Sequence, residues 1–269
     1  LGTITEGSGS YTPGTIATAT RLVLTPRETP QSISVVTRQV MDDFGLTAID
    51  DVMRHTPGIT VSAFDTERSN YYARGFSINN FQYDGIPSTV RNVGYSTGNT
   101  LSDMAIYDRV EVLKGATGLM TGSGDPSATV NLIRKKPTAQ FQASLTGSAG
   151  SWDNYRGEGD VSGPLNSSGT LRGRFVGAQQ DKQGYQDHYQ QKKEVYYGIL
   201  EADITPDTLL TVGIDQQTTT PRGTSWTGNP VYFADGGRTD FSRSFNPGAD
   251  WSRRDFQNRT YFASLEQAL

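Results

Sequence analysis

From about residue 140 to the end of the chain, side-chain character alternates with a period of two, in runs of about ten residues. Tyr155, Gly157, Gly159 and Val161 alternate with Arg156, Glu158, Asp160 and Ser162. Leu171, Gly173 and Phe175 alternate with Arg172, Arg174 and Val176. The same holds for Leu210, Val212 and Ile214 against Thr211, Gly213 and Asp215, and for Tyr261, Ala263 and Leu265 against Thr260, Phe262 and Ser264. Period two puts one set on each face of a strand. The region therefore predicts about six strands, over residues 140–150, 154–164, 170–181, 192–204, 208–218 and 257–269. Connections 164–170 and 205–208 are short, 182–191 is longer and 219–256 much longer. A membrane β-barrel has short turns at one end and long loops at the other. A soluble β-sandwich shares the period but not that asymmetry. Arg156, Glu158, Arg172 and Arg174 also fall opposite the apolar set, where a sandwich core would exclude them and a wet lumen would not. The pattern favours the barrel, with the sandwich as the alternative.

Composition removes other classes. The net charge is −4, which gives no electrostatic footprint for nucleic acid. Nothing approaches ~18 consecutive apolar residues, so no transmembrane helix is expected, but barrel strands need only ~9–11 alternating residues. There is no Cys, and His55 and His188 are the two histidines. Disulfides, thiolate zinc and iron–sulfur clusters are excluded. Absence of Cys also suits an exported chain, which would be seen here in processed or trimmed form.

The first half reads differently. Residues 1–17 are rich in Gly, Ser and Thr without a period, as a flexible lead-in would be. Residues 18–138 carry mixed α/β signals. Residues 32–37, 59–62, 109–113 and 129–133 read as strands. Thr37 is placed to cap a helix that reaches Phe44 and stops at Gly45, and Thr47 to cap a second that ends at Pro57-Gly58. Residues 63–70 and 87–99 read as long loops, which in compact domains are usually functional. The texture changes after Lys135-Lys136-Pro137, and residues 139–269 form the strand-rich domain.

Motifs of this first half, in order, are Thr29-Pro30-Gln31-Ser32-Ile33 with Val35-Val36-Thr37, Asp51-Val52-Met53, and Thr56-Pro57-Gly58-Ile59. Ala73-Arg74-Gly75-Phe76 and Tyr83-Asp84-Gly85-Ile86-Pro87 follow. Tyr107-Asp108-Arg109-Val110-Glu111-Val112-Leu113-Lys114-Gly115 then runs on to Asn131-Leu132-Ile133 and Lys135-Lys136-Pro137. On these motifs the chain resembles the plug domain of TonB-dependent outer-membrane receptors, and within that family the ferric-pyoverdine branch. The resemblance extends through the strand-rich half. It implies a mixed α/β plug, built on a small sheet, inside a 22-stranded antiparallel membrane barrel of the bacterial outer membrane. It implies energised import of a ferric siderophore, with no catalysis, no enzymatic cofactor and no protein ligand to the iron. The implied partners are the siderophore, outer-membrane lipid and the TonB complex, engaged through a box N-terminal to Leu1, where the branch often also carries a signalling domain.

The chain departs from that pattern in three ways. About six strands cannot close such a barrel, and it ends at Ala268-Leu269 rather than on an aromatic residue, which reads as a piece of a longer receptor. The resemblance would place the TonB box and the signalling domain before Leu1, with residues 1–17 at most the tail of that region. Ala128-Thr129-Val130-Asn131 replaces the usual Gly-Gly-Val-Ile-Asn, a change that predicts an altered local turn.

The resemblance also suggests site residues. Arg68, in the apical loop Asp65-Thr66-Glu67-Arg68, matches an arginine beside the chelate, where a guanidinium can hydrogen-bond oxygens and stack on an aromatic group. Tyr95 matches an apical tyrosine and Trp226 a tryptophan lining the pocket. Trp251, Tyr232 and Phe233 share the long connection with Trp226. Arg74 and Arg109 match plug residues that face the barrel wall, with Glu201 and Glu266 as their candidate partners. Another ferric chelate, a hydroxamate or haem, is the alternative cargo, and a secreted β-sandwich adhesin or lectin is the alternative from another class. Haem receptors usually recruit a His at the mouth, and only His188 is placed for that.

Other motif matches lack their context. Gly122-Ser123-Gly124-Asp125-Pro126-Ser127 starts like a dinucleotide fingerprint but lacks the third Gly, with Pro126 where a helix should open. Asp43-Phe44-Gly45 occurs without a kinase catalytic loop. Asn166-Ser167-Ser168 and Asn258-Arg259-Thr260 are chance sequons in a chain this rich in Ser and Thr. Neither histidine has a triad signature.

Overall fold

The computed structural model describes residues 2–20, 22–88, 101–115 and 126–268. The chain divides after Lys135 into two compact units.

In the first unit the order is β1 (Ser32–Val36), α1 (Arg38–Asp43), α2 (Ile49–His55), β2 (Ile59–Ala63), β3 (Ser69–Ala73), β4 (Phe76–Ser77), β5 (Asn80–Tyr83), β6 (Ile86–Pro87), β7 (Tyr107–Lys114) and β8 (Ala128–Arg134). A five-stranded sheet runs β1-β7-β8-β5-β6, and β2-β3-β4 form a second, smaller sheet. Ile49, Val52 and Met53 of α2 and Val110, Val112 and Leu132 of the large sheet are fully buried in the core. The Thr37 hydroxyl accepts the Val40 N–H at 3.3 Å and so caps α1, and Gly45 at φ 61° ends it in the left-handed region. At α2 the cap is Ala48, not the expected Thr47. The Asp51 carboxylate accepts the Ala48 N–H at 3.1 Å, and the Thr47 carbonyl instead accepts the Met104 N–H at 2.9 Å.

Two of the motifs are hairpin turns. Ala73 pairs with Phe76 and Tyr83 with Ile86, which leaves Arg74-Gly75 and Asp84-Gly85 as two-residue loops. All four residues have φ between 52° and 84°. A two-residue turn with both residues left-handed matches the twist of its strands, and Gly in second place carries no Cβ penalty. Asp84 then accepts the Arg134 N–H at 2.9 Å and its Nη1 at 2.8 Å, and Gly85 N–H donates to Asn131 Oδ1 at 3.0 Å. The substituted Ala128–Asn131 stretch makes no altered turn: it runs straight within β8.

The β7–β8 register shifts between Tyr107 and Arg109, so Asp108 is the extra residue of a bulge. The bulge aims the Asp108 carboxylate at Arg109. The Arg109 side chain is buried, with Nη1 2.8 Å from Asp108 and Nε 2.7 Å from Glu111, its neighbour two residues on along the same strand face. The start of the chain also departs from the flexible lead-in. Thr5 and Ile16 are buried, and the Thr5 and Glu6 N–H groups donate to Asp108 Oδ1 at 3.0 and 2.8 Å.

The second unit is one antiparallel meander: β9 (Gln142–Gly150), β10 (Asn154–Pro164), β11 (Leu171–Gln183), β12 (Gln190–Thr205), β13 (Thr208–Arg222) and β14 (Phe256–Gln267). It is a single sheet, not the two facing sheets of a sandwich. All six expected strands form. The connection asymmetry has one exception: β9 and β10, on the long-connection side, are joined by the tight turn 151–153, with Trp152 and Asp153 both left-handed at φ 57° and 48°.

The polarity of this sheet is inverted relative to a soluble one. Phe175, Tyr196, Leu200, Val212, Ile214, Tyr261 and Leu265 are exposed on one face. Arg174, Gln180, Lys193, Glu201, Thr211 and Asp215 are buried on the other. The charges there are paired: Arg174 to Asp160 at 2.6 Å, Arg172 to Asp203 at 2.7 Å and Arg156 to Glu158 at 3.1 Å.

Arg109→Met would leave Asp108 and Glu111 buried without their shared cation. Urea denaturation of the intact protein should show a loss of about 3–5 kcal/mol; an unchanged midpoint would contradict the buried-pair account.

Candidate functional site

The hairpin of β2 and β3 carries the apical loop, residues 64–68. Its stem is docked on α2 through Asp50, whose carboxylate accepts the Ser69 hydroxyl at 2.5 Å and the Tyr71 hydroxyl. Arg54 joins Asp50 at 3.4 Å. Burial, and then the Asp50 carboxylate beside it, push the Tyr71 hydroxyl well above its ordinary pKa. The loop is closed by Asp65, whose Oδ1 accepts the N–H groups of Glu67 and Arg68 at 3.0 and 2.7 Å.

Arg68 stands in this loop, but not as a loose surface arginine. It is 6% exposed, its Nη2 lies 2.7 Å from Asp65, and its guanidinium lies 4.5 Å from the centre of the Phe64 ring. Its plane is thus pre-oriented by a carboxylate and an aromatic face. Tyr95 lies outside the described residues. Arg74 is exposed at its hairpin tip and stands close to Gly115 and Lys114. Burial, and then the Arg74 guanidinium, lower the Lys114 pKa.

In the second unit the connection between β13 and β14 is built, not loose. Its two stems meet where Gly223 N–H donates to Ser252 O at 2.9 Å and Arg222 bridges Arg253. Asn246 is buried and stitches it to the β11–β12 connection: its Nδ2 donates to Gly223 O at 2.6 Å and to Asp187 O at 2.9 Å. Gly223 is required here, since a Cβ would sit 2.2 Å from His188 O.

Trp226 and Trp251 leave from these paired stems. Arg254 stacks its guanidinium 4.8 Å from the Trp226 ring centre and 5.2 Å from that of Phe256. Trp251 is 83% exposed, and Tyr232 is exposed on a small turn bridged to Arg238. Phe233 packs on Phe241 at 6.4 Å, and Phe241 stacks on Phe245 at 4.2 Å. Arg254, Phe241 and Phe245 were missed in the sequence, although all three stand in the connection already singled out. Trp152 and Tyr185 were missed as well. Their rings meet edge to face at 6.4 Å beside a groove of about 600 Å³ that His188 and Asp250 also line. Glu201 is buried on the polar face, 3.3 Å from Lys136 and 3.9 Å from Arg172, and Glu266 is exposed on β14.

Residues 25–129 match the family model of the TonB-dependent receptor plug domain. Over 267 residues the chain is 72% identical to the ferripyoverdine receptor of Pseudomonas aeruginosa, covering 99% of this chain and 33% of that protein. The chain carries a TonB-dependent receptor plug and belongs to that receptor family. The ferric-pyoverdine 358 receptor of Pseudomonas putida is 48% identical over the whole chain. The crystal structure of the Pseudomonas aeruginosa outer-membrane ferripyoverdine receptor bound to ferripyoverdine superposes with a TM-score of 0.96 at 71% identity, over 98% of this chain and 35% of that one. The alcaligin outer-membrane receptor of Bordetella pertussis gives 0.81 at 40% identity, over 98% of this chain and 41% of that one. The chain spans about a third of the length of the curated relatives it matches.

Because the Tyr71 proton is held more tightly in the fold, its contribution to stability is present below the free tyrosine pKa of ~10 and is lost as pH rises towards the raised folded value. Thermal melts between pH 8 and 11 should therefore fall less steeply in Tyr71→Phe than in wild type. The variant should also lose about 1–2 kcal/mol at neutral pH from the missing hydrogen bond to Asp50. Parallel pH profiles would contradict the assignment.

Proposed function

We propose that the chain is the plug and first barrel strands of a bacterial outer-membrane receptor that binds a ferric siderophore, ferric pyoverdine above all, and imports it with energy from the TonB complex. The observation that carries this is the 72% identity to a ferripyoverdine receptor across 99% of the chain. The physical features agree with it. The exposed aromatic and aliphatic face of the sheet suits lipid contact by a barrel wall. A buried face of paired charges suits a polar lumen. The long connections then stand outside the cell and the short turns in the periplasm.

Recognition is of the outer surface of a bulky chelate. The iron is cargo and keeps its six siderophore oxygens. Arg68, oriented by Asp65 and Phe64, presents hydrogen-bond donors and a flat cation to the chelate. Tyr95 and Trp226, with Trp251 and Tyr232 further out, supply aromatic surface. Arg74, Arg109, Glu201 and Glu266 belong to the holding of plug against wall, with Arg109 acting from inside the plug through its own carboxylates. Import is binding followed by gated passage, without covalent chemistry. Bound chelate biases the plug towards a state in which a TonB-engaging segment N-terminal to Gly2 is accessible. A different ferric chelate is the second reading, favoured by the 40% identity to the alcaligin receptor.

In the full-length receptor, Arg68→Ala, Tyr95→Ala and Trp226→Ala should each weaken ferric pyoverdine binding by about tenfold or more, as hot-spot truncations of ~1.4 kcal/mol do. Wild-type affinity in all three, measured by fluorescence quenching, would remove them from the site.

A further inference from the structure

The groove of about 600 Å³ beside Trp152 and Tyr185 lies at the long-connection end of the second unit. Its walls come from the β9–β10 turn, from residues 183–190 between β11 and β12, and from Asp250 of the β13–β14 connection. Gln183 and Gln190 line it from the strand ends, opposite each other in register. By strand parity they share the face of the exposed Phe175 and Tyr196, not the face of the buried charges. Along that face β11 changes from Phe175 to Gln179, Asp181 and Gln183, and β12 from Tyr196 to Glu194, Lys192 and Gln190. The groove therefore lies on the outward side of the sheet, beyond the point where apolar side chains give way to polar ones.

Its walls are held from within the unit. Gln183 N–H donates to Trp152 O at 2.8 Å, and Gln183 Nε2 to Asp153 Oδ2 at 2.9 Å. Gly184 N–H donates to Tyr189 O at 3.1 Å. Asp187 N–H donates to Ser244 O at 2.8 Å, and Asp187 O accepts Asn246 Nδ2 at 2.9 Å. Trp152, Asp153 and His188 have φ of 57°, 48° and 64°. Five non-glycine residues have positive φ among the described residues, so three of them cluster here. The other two, Arg74 and Asp84, open two-residue hairpin turns and are followed by glycine. Unfavourable backbone of this kind persists where the surrounding structure over-determines it, and it concentrates at ligand sites. Here two of the three residues, Trp152 and His188, line the groove.

The lining selects a ligand class. The exposed Trp152 and Tyr185 rings stand among amides, the carboxylates of Asp187 and Asp250 and the His188 imidazole. Among the described residues no cluster of His, Asp and Glu is arranged to hold a metal ion. Two carboxylates oppose an anion. A wholly apolar ligand would cover these polar groups without giving them partners. A pyranose ring fits: its C–H face lies on an aromatic ring, and its hydroxyls donate to carboxylates and both donate to and accept from amides. The volume is in the ~300–1,000 Å³ range of small-ligand sites.

We propose that this groove binds a neutral oligosaccharide, stacked on Trp152 and Tyr185, and that the sugar is carried by a neighbouring glycolipid of the outer leaflet. The sugar chemistry rests on the groove alone. The glycolipid source rests on the outer-membrane reading, which puts the outward side of this end among lipid headgroups rather than at the cargo.

The test is calorimetric titration of the full-length, detergent-solubilised receptor with two probes. One is the core oligosaccharide of the host cell's lipopolysaccharide, freed of lipid and phosphate, and the other is maltotriose. The core oligosaccharide should bind about tenfold or more tightly than maltotriose. Maltotriose binding as well or better would overturn the glycolipid source and keep the sugar site, and no heat from either would overturn both. Trp152→Gly keeps a left-handed turn that glycine adopts freely while removing the ring. It should weaken the core oligosaccharide by about tenfold or more, with the melting temperature held or raised and ferric pyoverdine bound as in wild type. Unchanged sugar affinity in Trp152→Gly, or equal loss of sugar and chelate, would overturn this groove as a separate site. Wild-type receptor that binds the sugar but not ferric pyoverdine would overturn the transport reading and leave the groove assigned.

Discussion

A strand that crosses hydrocarbon must have every backbone N–H and C=O paired with a neighbouring strand, because no water is there to replace a missing partner. The second unit has the pairing that such a rule demands. Its six strands pair in sequence order with long registers, thirteen residue pairs between β11 and β12 among them. With the backbone committed, the side chains divide by face: aromatic and aliphatic groups outward, charges inward. The inward charges would be costly singly, and they come in pairs. Arg174 holds Asp160 through two hydrogen bonds, 2.9 and 2.6 Å, and Arg172 holds Asp203 likewise at 2.7 and 2.9 Å. Both pairs are satisfied within the sheet itself, on its polar face.

The plug solves a related problem by a different route. Its large sheet has charged residues at its centre, so it cannot rely on apolar packing alone. A bulge turns Asp108 towards Arg109, Glu111 completes the pair, and the Thr18 hydroxyl, which donates to Glu111, also accepts Asn131 Nδ2 at 2.7 Å. Asp84 holds Arg134 from a two-residue hairpin turn. The family-like motifs are therefore mostly this polar core and the left-handed turns that serve it. Hydrogen-bonded cores of this kind fix one arrangement strongly, yet they can be exchanged segment by segment where each group released leaves its partner still paired.

Legibility in the sequence followed the range of the interactions. The strands of the second unit were legible because their period-two pattern is local and long. The turn at 151–153 falls between two of those strands as expected, although it carries Trp152 and Asp153 in left-handed conformations without the Asn-Gly or Gly that signals a tight hairpin. Strands β3 and β5, Ser-Asn-Tyr-Tyr-Ala and Asn-Phe-Gln-Tyr, are short and half polar, and pattern alone leaves them as loop. The start of the chain read as loose because its partners are remote; Thr5 and Asp108 are 103 residues apart. At the candidate site, residue types were readable and commitments were not. Arg68 stood out as a recognition residue, but its clamp by Asp65 and Phe64 depends on the loop geometry. Trp226 stood out, whereas Arg254 stacked on it lies across a connection whose stems meet only in the fold.

The most direct test of the account is fluorescence titration of the intact, detergent-solubilised receptor with ferric pyoverdine, with ferrichrome and haem alongside. Saturable quenching by ferric pyoverdine alone, at submicromolar concentration, is the expected result. Quenching by ferrichrome or haem instead would contradict the cargo, and no response to any of the three would contradict the receptor reading itself.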